Sequence, residues 1–359
     1  MVKAAVLMKQ GGRLEVRDIS LGEPGPGQVK VRVHAAGVCH SDLSLANGTL
    51  LQEVPAVLGH EGAGVVTAVG DGVDRVVVGD HVVLNWSPAC RECWFCLRGE
   101  PWLCVHADDM AREPYASLDD GTPVYPGLGT AAFAEETVVP AAGVVKVPPS
   151  VPMAHAAVLG CAVQTGAGAV FNTARVRADE SVVVVGLGGV GLSALQAARA
   201  VGAGPIIGVD VSEAKADLAA RHGATDFLVA GETTAKAVRK LTGGRGADHA
   251  FDCVGLPATI RTSWSASRRG GSVTVVGVGS KANLVEFSAL ELYWFGRTLH
   301  GCVFGSSDPD VEIPRLLGLA EEGKLDLAAL VSDTTDLAGV NDAFERFGTG
   351  ARTIVDFTS

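Results

Sequence analysis

Four consecutive valines, Val182–Val185, run straight into Gly186-Leu187-Gly188-Gly189-Val190-Gly191. No other stretch of the chain narrows the fold as much. Four β-branched residues in a row read as a strand buried on both faces, and the apolar run Val190–Val201 has the length of a helix. Glycines at G-x-G-x-x-G spacing turn the chain tightly between strand and helix. They also let the backbone approach a pyrophosphate, whose charge the helix N-terminus attracts. Asp210 ends the next strand-like run, Ile206–Asp210, 19 residues past Gly191. A carboxylate there accepts from both ribose hydroxyls and repels a 2′-phosphate, which favours NAD over NADP. A flavin site or a purely structural unit of the same shape is the alternative.

The texture around this motif repeats. A helical run Glu213–Arg221 and strand-like runs Asp226–Val229, Asp248–Asp252 and Ser272–Gly277 follow. Alternating β and α segments predict an α/β fold with a doubly wound parallel sheet. Before Pro148-Pro149 the pattern differs. Short β-branched runs (Val29–Val33, Gly64–Val69, Asp80–Leu84) lie among turn signals such as Glu23-Pro24-Gly25-Pro26-Gly27, and predict a barrel-like β-lobe. Beyond Val303 the texture is mixed again and ends in a strand-like Arg352–Phe357. A length of 359 residues accommodates two such units.

Hydrophobic residues make up 47% of the chain and the net charge is −11, which excludes disorder and argues against a nucleic-acid partner. Val182–Ala200 is apolar enough to resemble a membrane span, but its glycines, Ser193, Gln196 and Arg199 fit a strand, a turn and a helix better. Met1–Gly12 has only a short apolar run, Ala4–Met8, and does not read as a signal peptide. The expectation is a cytoplasmic protein whose eight cysteines stay reduced.

Cys90, Cys93, Cys96 and Cys104 form C-x2-C-x2-C-x7-C. This spacing lets four thiolates converge on one tetrahedral ion and leaves no position open for chemistry. A closed structural zinc is expected, with disulfides disfavoured by compartment and an iron–sulfur cluster as the other alternative. Cys39, His60 and Cys161 are far apart in sequence. Two thiolates, one imidazole and a water would make an open, catalytic type of zinc site. From spacing alone they could equally be small core residues and a structural histidine. The other histidines (His34, His81, His106, His155, His222, His249 and His300) read as surface or satisfied core residues.

Together these segments resemble the zinc-dependent alcohol dehydrogenases of the medium-chain dehydrogenase/reductase superfamily. The resemblance runs along the whole chain: Gly37–Asp42, Gly59-His60-Glu61, the four-cysteine lobe, Gly160–Gly166, Gly186–Gly191, Phe304-Gly305 and Gly350-Ala351-Arg352-Thr353. It implies a GroES-like catalytic domain over residues 1–160, to which 304–359 return, and a Rossmann NAD-binding domain over 161–303. It implies two zincs per chain, one held by Cys39, His60 and Cys161 with Glu61 behind it, the other by Cys90, Cys93, Cys96 and Cys104. Asp42 would orient His60, and Ser41 would take the substrate's proton. His40 and Arg352 would meet the pyrophosphate, and Gly186, Gly188, Gly189 and Gly191 would form its turn. Thr165, Val190 and Val276 would line the nicotinamide, and Lys215 would reach the adenosine ribose beside Asp210. Leu50, Trp86, Phe133, Val278 and Val303 would line the substrate channel.

The activity implied is reversible hydride transfer between NAD and a hydrophobic alcohol and its aldehyde or ketone, with zinc as Lewis acid. The alternative within the superfamily is an NADPH-linked zinc reductase of a conjugated carbonyl or imine. A non-catalytic nucleotide-binding protein on the same fold would have no reason to keep an open metal site. The long segment Val105–Gly129 resembles the animal-type and glutathione-dependent branch, implying a homodimer, with a tetramer as the other possibility. Leu50 stands where that branch carries an acid, which speaks against a glutathionyl substrate. Ser44 stands where many relatives carry the histidine that ends a proton relay.

Overall fold

The structure, a computed structural model, describes residues 1–358. Its central feature is a six-stranded parallel sheet in the order Asp226–Val229, Ile206–Asp210, Val182–Val185, Ala247–Asp252, Ser267–Val275, Thr298–Gly301. Val183 pairs with Ile207 on one side and Ala250 on the other. The four valines divide between two cores. Val182 and Val184 pack with Leu192, Leu195 and Leu159, while Val183 and Val185 pack with Ile207, Val273 and Trp264. Burying each valine is worth roughly 1.5–3 kcal/mol, so a strand apolar on both faces belongs in the middle of a sheet covered on both sides. The helix Gly189–Ala200 starts at the glycine turn, as the motif predicts. The edge strand Thr298–Gly301 was not legible, since Thr-Leu-His-Gly has neither alternation nor a β-branched run.

The first lobe is antiparallel for the most part. Val2–Leu7, Leu14–Leu21, Ala116–Ser117, Pro123–Pro126 and Ala56–Val57 close a small barrel. A second sheet carries Gln28–Gly37 between Glu61–Val69 and the C-terminal strand Arg352–Asp356. Val31, Val33, Leu58, Leu84 and Phe133 fill the core of this lobe.

Two registers and one helix build the site. Gly37 pairs with Glu61, which sets Cys39 beside His60. Ile354 also pairs with Gly37, which brings Arg352 alongside Val38. The helix Met153–Thr173 then crosses from the first lobe to the parallel sheet. It is apolar enough to span a membrane by composition, but 83% of its apolar window is buried inside the fold. It widens into π-type turns at Leu159–Val163 and Ala169–Thr173, and Cys161 lies in the first of them. Such turns recur where a helix presents a functional side chain. The expected boundary at residues 160 and 161 falls inside this continuous helix.

Candidate active site

Cys39, His60, Glu61 and Cys161 converge, with one ligand atom from each lying within 4.8 Å of the others. All four are buried. Asp42, fully buried, ties them together. Its Oδ2 accepts from Cys39 N (3.1 Å), and its Oδ1 accepts from Gly59 N (3.0 Å) and from His60 Nδ1 (2.9 Å). Burial opposes the charged imidazole, but Asp42 and Cys39 together raise His60 well above its ordinary range; the bond to Asp42 turns Nδ1 away from the cluster, and a metal would take the place of the Nε2 proton. Ser41 Oγ lies 4.0 Å from Cys39 Sγ.

The electrostatics fit a cation. The Cys39 thiol falls well below its ordinary range, first through its hydrogen bond with Cys161, with Arg352 and His60 adding to this and burial opposing it. The same hydrogen bond, with burial, moves Cys161 up, so the two thiols share their first ionisation as a pair. Burial pushes the Glu61 carboxyl up to about 8 against the pull of Arg352. Arg352 donates to Glu61 Oε1 (3.0 Å) and to the Val38 carbonyl (3.1 Å). Its Nε is also 3.0 Å from Glu61 Oε2, an ion pair not aligned as a hydrogen bond. Two thiols and an imidazole form a three-ligand set suited to an open zinc site, with the Glu61 carboxyl behind it held by Arg352.

The second cluster is Cys90, Cys93, Cys96 and Cys104, whose sulfurs also lie within 4.8 Å of one another. The Cys90–Cys96 and Cys93–Cys104 sulfur pairs are 3.9 Å apart. Sulfurs at the zinc–thiolate distance of about 2.3 Å around a tetrahedral centre are separated by about 3.8 Å. Backbone N–H groups of Cys93 and Cys90 donate to Cys90 Sγ (3.2 Å) and Cys104 Sγ (3.3 Å). All eight cysteines are free thiols, so the disulfide alternative does not apply.

The expected cofactor residues surround the glycine turn. A side chain at Gly191 would run into the Gly186 carbonyl, which is why only glycine fits there. Asp210 accepts from Leu187 N (2.8 Å) and Ser212 N (3.1 Å), which fixes its carboxylate at the turn. The Val190 backbone lies against the helix that carries Thr165, since a side chain at Gly166 would meet the Val190 carbonyl. Val276 is buried just past the strand Ser267–Val275. Arg352 lies against Gly189 but is engaged by Glu61 and Val38. Lys215 is buried, and its Nζ donates to the carbonyls of Leu187 (3.0 Å) and Gly350 (2.7 Å). It therefore bridges the glycine turn and the C-terminal segment instead of lying on a solvated helix face. His40 is exposed beside the Phe347 ring.

Of the five expected channel residues, Trp86 reaches the metal cluster, its ring edge-on to His60 at 6.4 Å. Phe133 is fully buried under Gly59, and Leu50 packs on the core of the first lobe. Val278 and Val303 are about half exposed. The residue after Val303, Phe304, is buried and packs against Trp86, with ring centroids 4.5 Å apart and planes tilted by 53°. The Phe304-Gly305 motif is its only sequence signal.

An open donor set and a closed one, joined to a parallel sheet with a dinucleotide turn, define a zinc-dependent dehydrogenase. Comparison with known proteins agrees. Residues 25–149 match the alcohol dehydrogenase GroES-like domain and residues 189–322 match zinc-binding dehydrogenase. The S-(hydroxymethyl)glutathione dehydrogenase of Escherichia coli is 37% identical over 369 residues, covering 99% of each chain. An alcohol dehydrogenase zinc-binding domain protein from Burkholderia ambifaria superposes with a TM-score of 0.94 at 34% identity, covering 100% of this chain and 99% of the other. Benzyl alcohol dehydrogenase from Acinetobacter calcoaceticus gives 0.90 at 32%, covering 99% of each. The chain belongs to the zinc-dependent alcohol dehydrogenase family of the medium-chain dehydrogenase/reductase superfamily. It is accordingly an oxidoreductase that works with zinc and NAD.

Proposed function

We propose that this enzyme interconverts a hydrophobic alcohol and its carbonyl compound at the Cys39, His60 and Cys161 site. The observation that carries the reading is the approach of Trp86 to His60 with Phe304 packed against Trp86, an aromatic pair beside an otherwise buried metal-ligand set. Zinc held there supplies a Lewis acid for the alcohol oxygen, and NAD supplies the hydride acceptor. Ser41 is close enough to Cys39 to meet that oxygen and take its proton. Asp42 holds His60 and Cys39 in register, and Arg352 neutralises Glu61 behind them. His40, the turn Gly186–Gly191, Thr165, Val190, Val276, Lys215 and Arg352 form the nucleotide side. Asp210 selects NAD, which disfavours the NADPH-linked reductase.

Leu50, half-buried against the apolar core of the first lobe, supports a hydrophobic substrate over a glutathionyl one. We take residues 1–160 with 304–359 as the catalytic unit and 161–303 as the nucleotide unit, supported by the pairing of Arg352–Asp356 with Gln28–Gly37. A homodimer is supported by the exposed Leu284, Leu290, Tyr293, Trp294 and Leu299 at the Thr298–Gly301 edge of the parallel sheet. A cytoplasmic location is supported by the eight unpaired cysteines. The test is a panel of alcohols and aldehydes, S-(hydroxymethyl)glutathione included, assayed with NAD and NADP. Benzyl-type alcohols with NAD should be turned over best. A preference for the glutathione adduct or for NADP would overturn the reading.

A further inference from the structure

Two segments far apart in sequence face each other across two rungs. Trp86 packs against Phe304 with ring centroids 4.5 Å apart. A few residues further along each segment, Arg91 grips both carboxylate oxygens of Asp308 (2.5 and 2.8 Å) and reaches Asp310 (2.7 Å). Arg75 joins Asp310 as well. Arg91 lies between Cys90 and Cys93 with φ of 65°, in the left-handed region. Asp308 caps the helix Pro309–Glu321, accepting from Asp310 N at 3.2 Å.

The turn between the rungs is strained. Phe304, Gly305 and Ser306 have φ of 51°, 69° and 47°, the left-handed region that favours glycine, yet two of them carry side chains. The helix Met153–Thr173 pins one side of this turn. Asn172 Nδ2 donates to the Gly305 carbonyl (3.2 Å) and to Ser307 Oγ (3.0 Å), and the Thr173 and Ser306 hydroxyls are 2.8 Å apart. The Arg91–Asp308 pair holds the other side.

We propose that Arg91 and Asp308 are positioning residues for the substrate pocket: their ion pair fastens the four-cysteine lobe to the Phe304–Ser306 turn, keeps Phe304 on Trp86, and so sets how bulky an alcohol reaches His60. The four-cysteine lobe thereby acts on specificity without touching substrate. The inference rests on the reading that Trp86 and Phe304 face the alcohol. Half-exposed ion pairs contribute little to stability, so the expected signature is in substrate ranking and not in melting.

The experiment compares the zinc-loaded wild type with Arg91→Met, Asp308→Asn, the double variant and Arg91→Lys, using ethanol and benzyl alcohol with NAD. Asp308→Asn removes the charge while keeping an oxygen for the helix cap. Zinc content should stay at two per chain, matching the two ligand clusters. The benzyl-to-ethanol ratio of kcat/KM should shift about three- to fivefold in the same direction in both single variants, through KM, with ethanol kcat changed by less than about twofold. The double variant should shift it no further than the larger single, because both act through one contact. Arg91→Lys should recover part of the shift, since an ammonium keeps the charge but loses the fork. An unchanged ratio in both single variants, additive shifts in the double, or shifts that merely track lost zinc would overturn the proposal. Failure of the underlying reading looks different: the wild type would not oxidise these alcohols with NAD, or Trp86→Ala would leave their ranking intact.

Discussion

The two metal sites use the same sulfur chemistry and are built in opposite ways. The four-cysteine site draws its ligands from one short segment, Cys90 to Cys104, and orients them with backbone N–H groups from that segment. Three of its four cysteines are only partly buried. The Cys39, His60 and Cys161 site draws its ligands from a strand end, a loop and a helix, and every one of them is buried. Its geometry is inherited from the Gly37–Glu61 register and from the approach of the helix Met153–Thr173. A local site is folded by its ion, whereas a distributed one is folded by the protein and then receives the ion. The first should therefore matter for stability and the second for chemistry.

Cys161→Ala breaks the comparison most severely on the catalytic side. It should lower kcat/KM for alcohol oxidation by about 10³-fold or more while moving Tm by only a few degrees. Steady-state kinetics and calorimetry on one preparation check this, and a large Tm loss would mean that the buried site is structural too.

Cys96→Ser addresses the other half. Zinc should fall from two to about one per chain, as expected from the two clusters, and Tm should drop by roughly 5–10 °C. Elemental analysis beside a thermal scan reads both. Retention of two zincs with native melting would contradict the assignment.

Asp42→Asn sharpens the contrast, because only the distributed site depends on a carboxylate that touches no substrate. Losing the charge behind His60 and Cys39 should weaken zinc at that site by about 10–100-fold and leave the four-cysteine zinc in place. Competition with a graded chelator measures both affinities separately.

The smallest effect concerns the proton. A serine has no pKa near neutrality, so Ser44 cannot end a proton relay as an imidazole does, and oxidation should be favoured at alkaline pH, where hydroxide accepts the proton. Ser44→His should raise oxidation at pH 7 more than at pH 9, by about severalfold. Equal pH profiles for the two proteins would show that proton release does not limit turnover.

The same contrast explains what the sequence revealed. The four-cysteine site was legible residue by residue, because its ligands sit within one turn-rich segment whose spacing is its geometry. The glycine turn and Asp210 were legible for the same reason. Cys39, His60 and Cys161 were ambiguous on spacing and gained a role only through resemblance, since strand register and a helix crossing bring them together. Arg91 and Asp308, 217 residues apart, gave no sequence signal at all. The bonds of Lys215 to Leu187 and Gly350 depend on a C-terminal return that local pattern does not encode. Val278 and Val303 follow the strand Ser267–Val275 and the strand Thr298–Gly301 in turns, where local pattern does not encode which way a side chain points.

The central claim is that substrate meets the distributed site and never the local one. Cobalt in place of zinc makes each site visible, because the absorption bands of a tetrahedral ion respond to its ligands. Cys96→Ser carrying one cobalt should show bands that shift when benzyl alcohol is added in the presence of NAD, and Cys161→Ala carrying one cobalt should show bands that do not move. Bands that shift in Cys161→Ala, or that stay fixed in Cys96→Ser while alcohol is being turned over, would contradict the account.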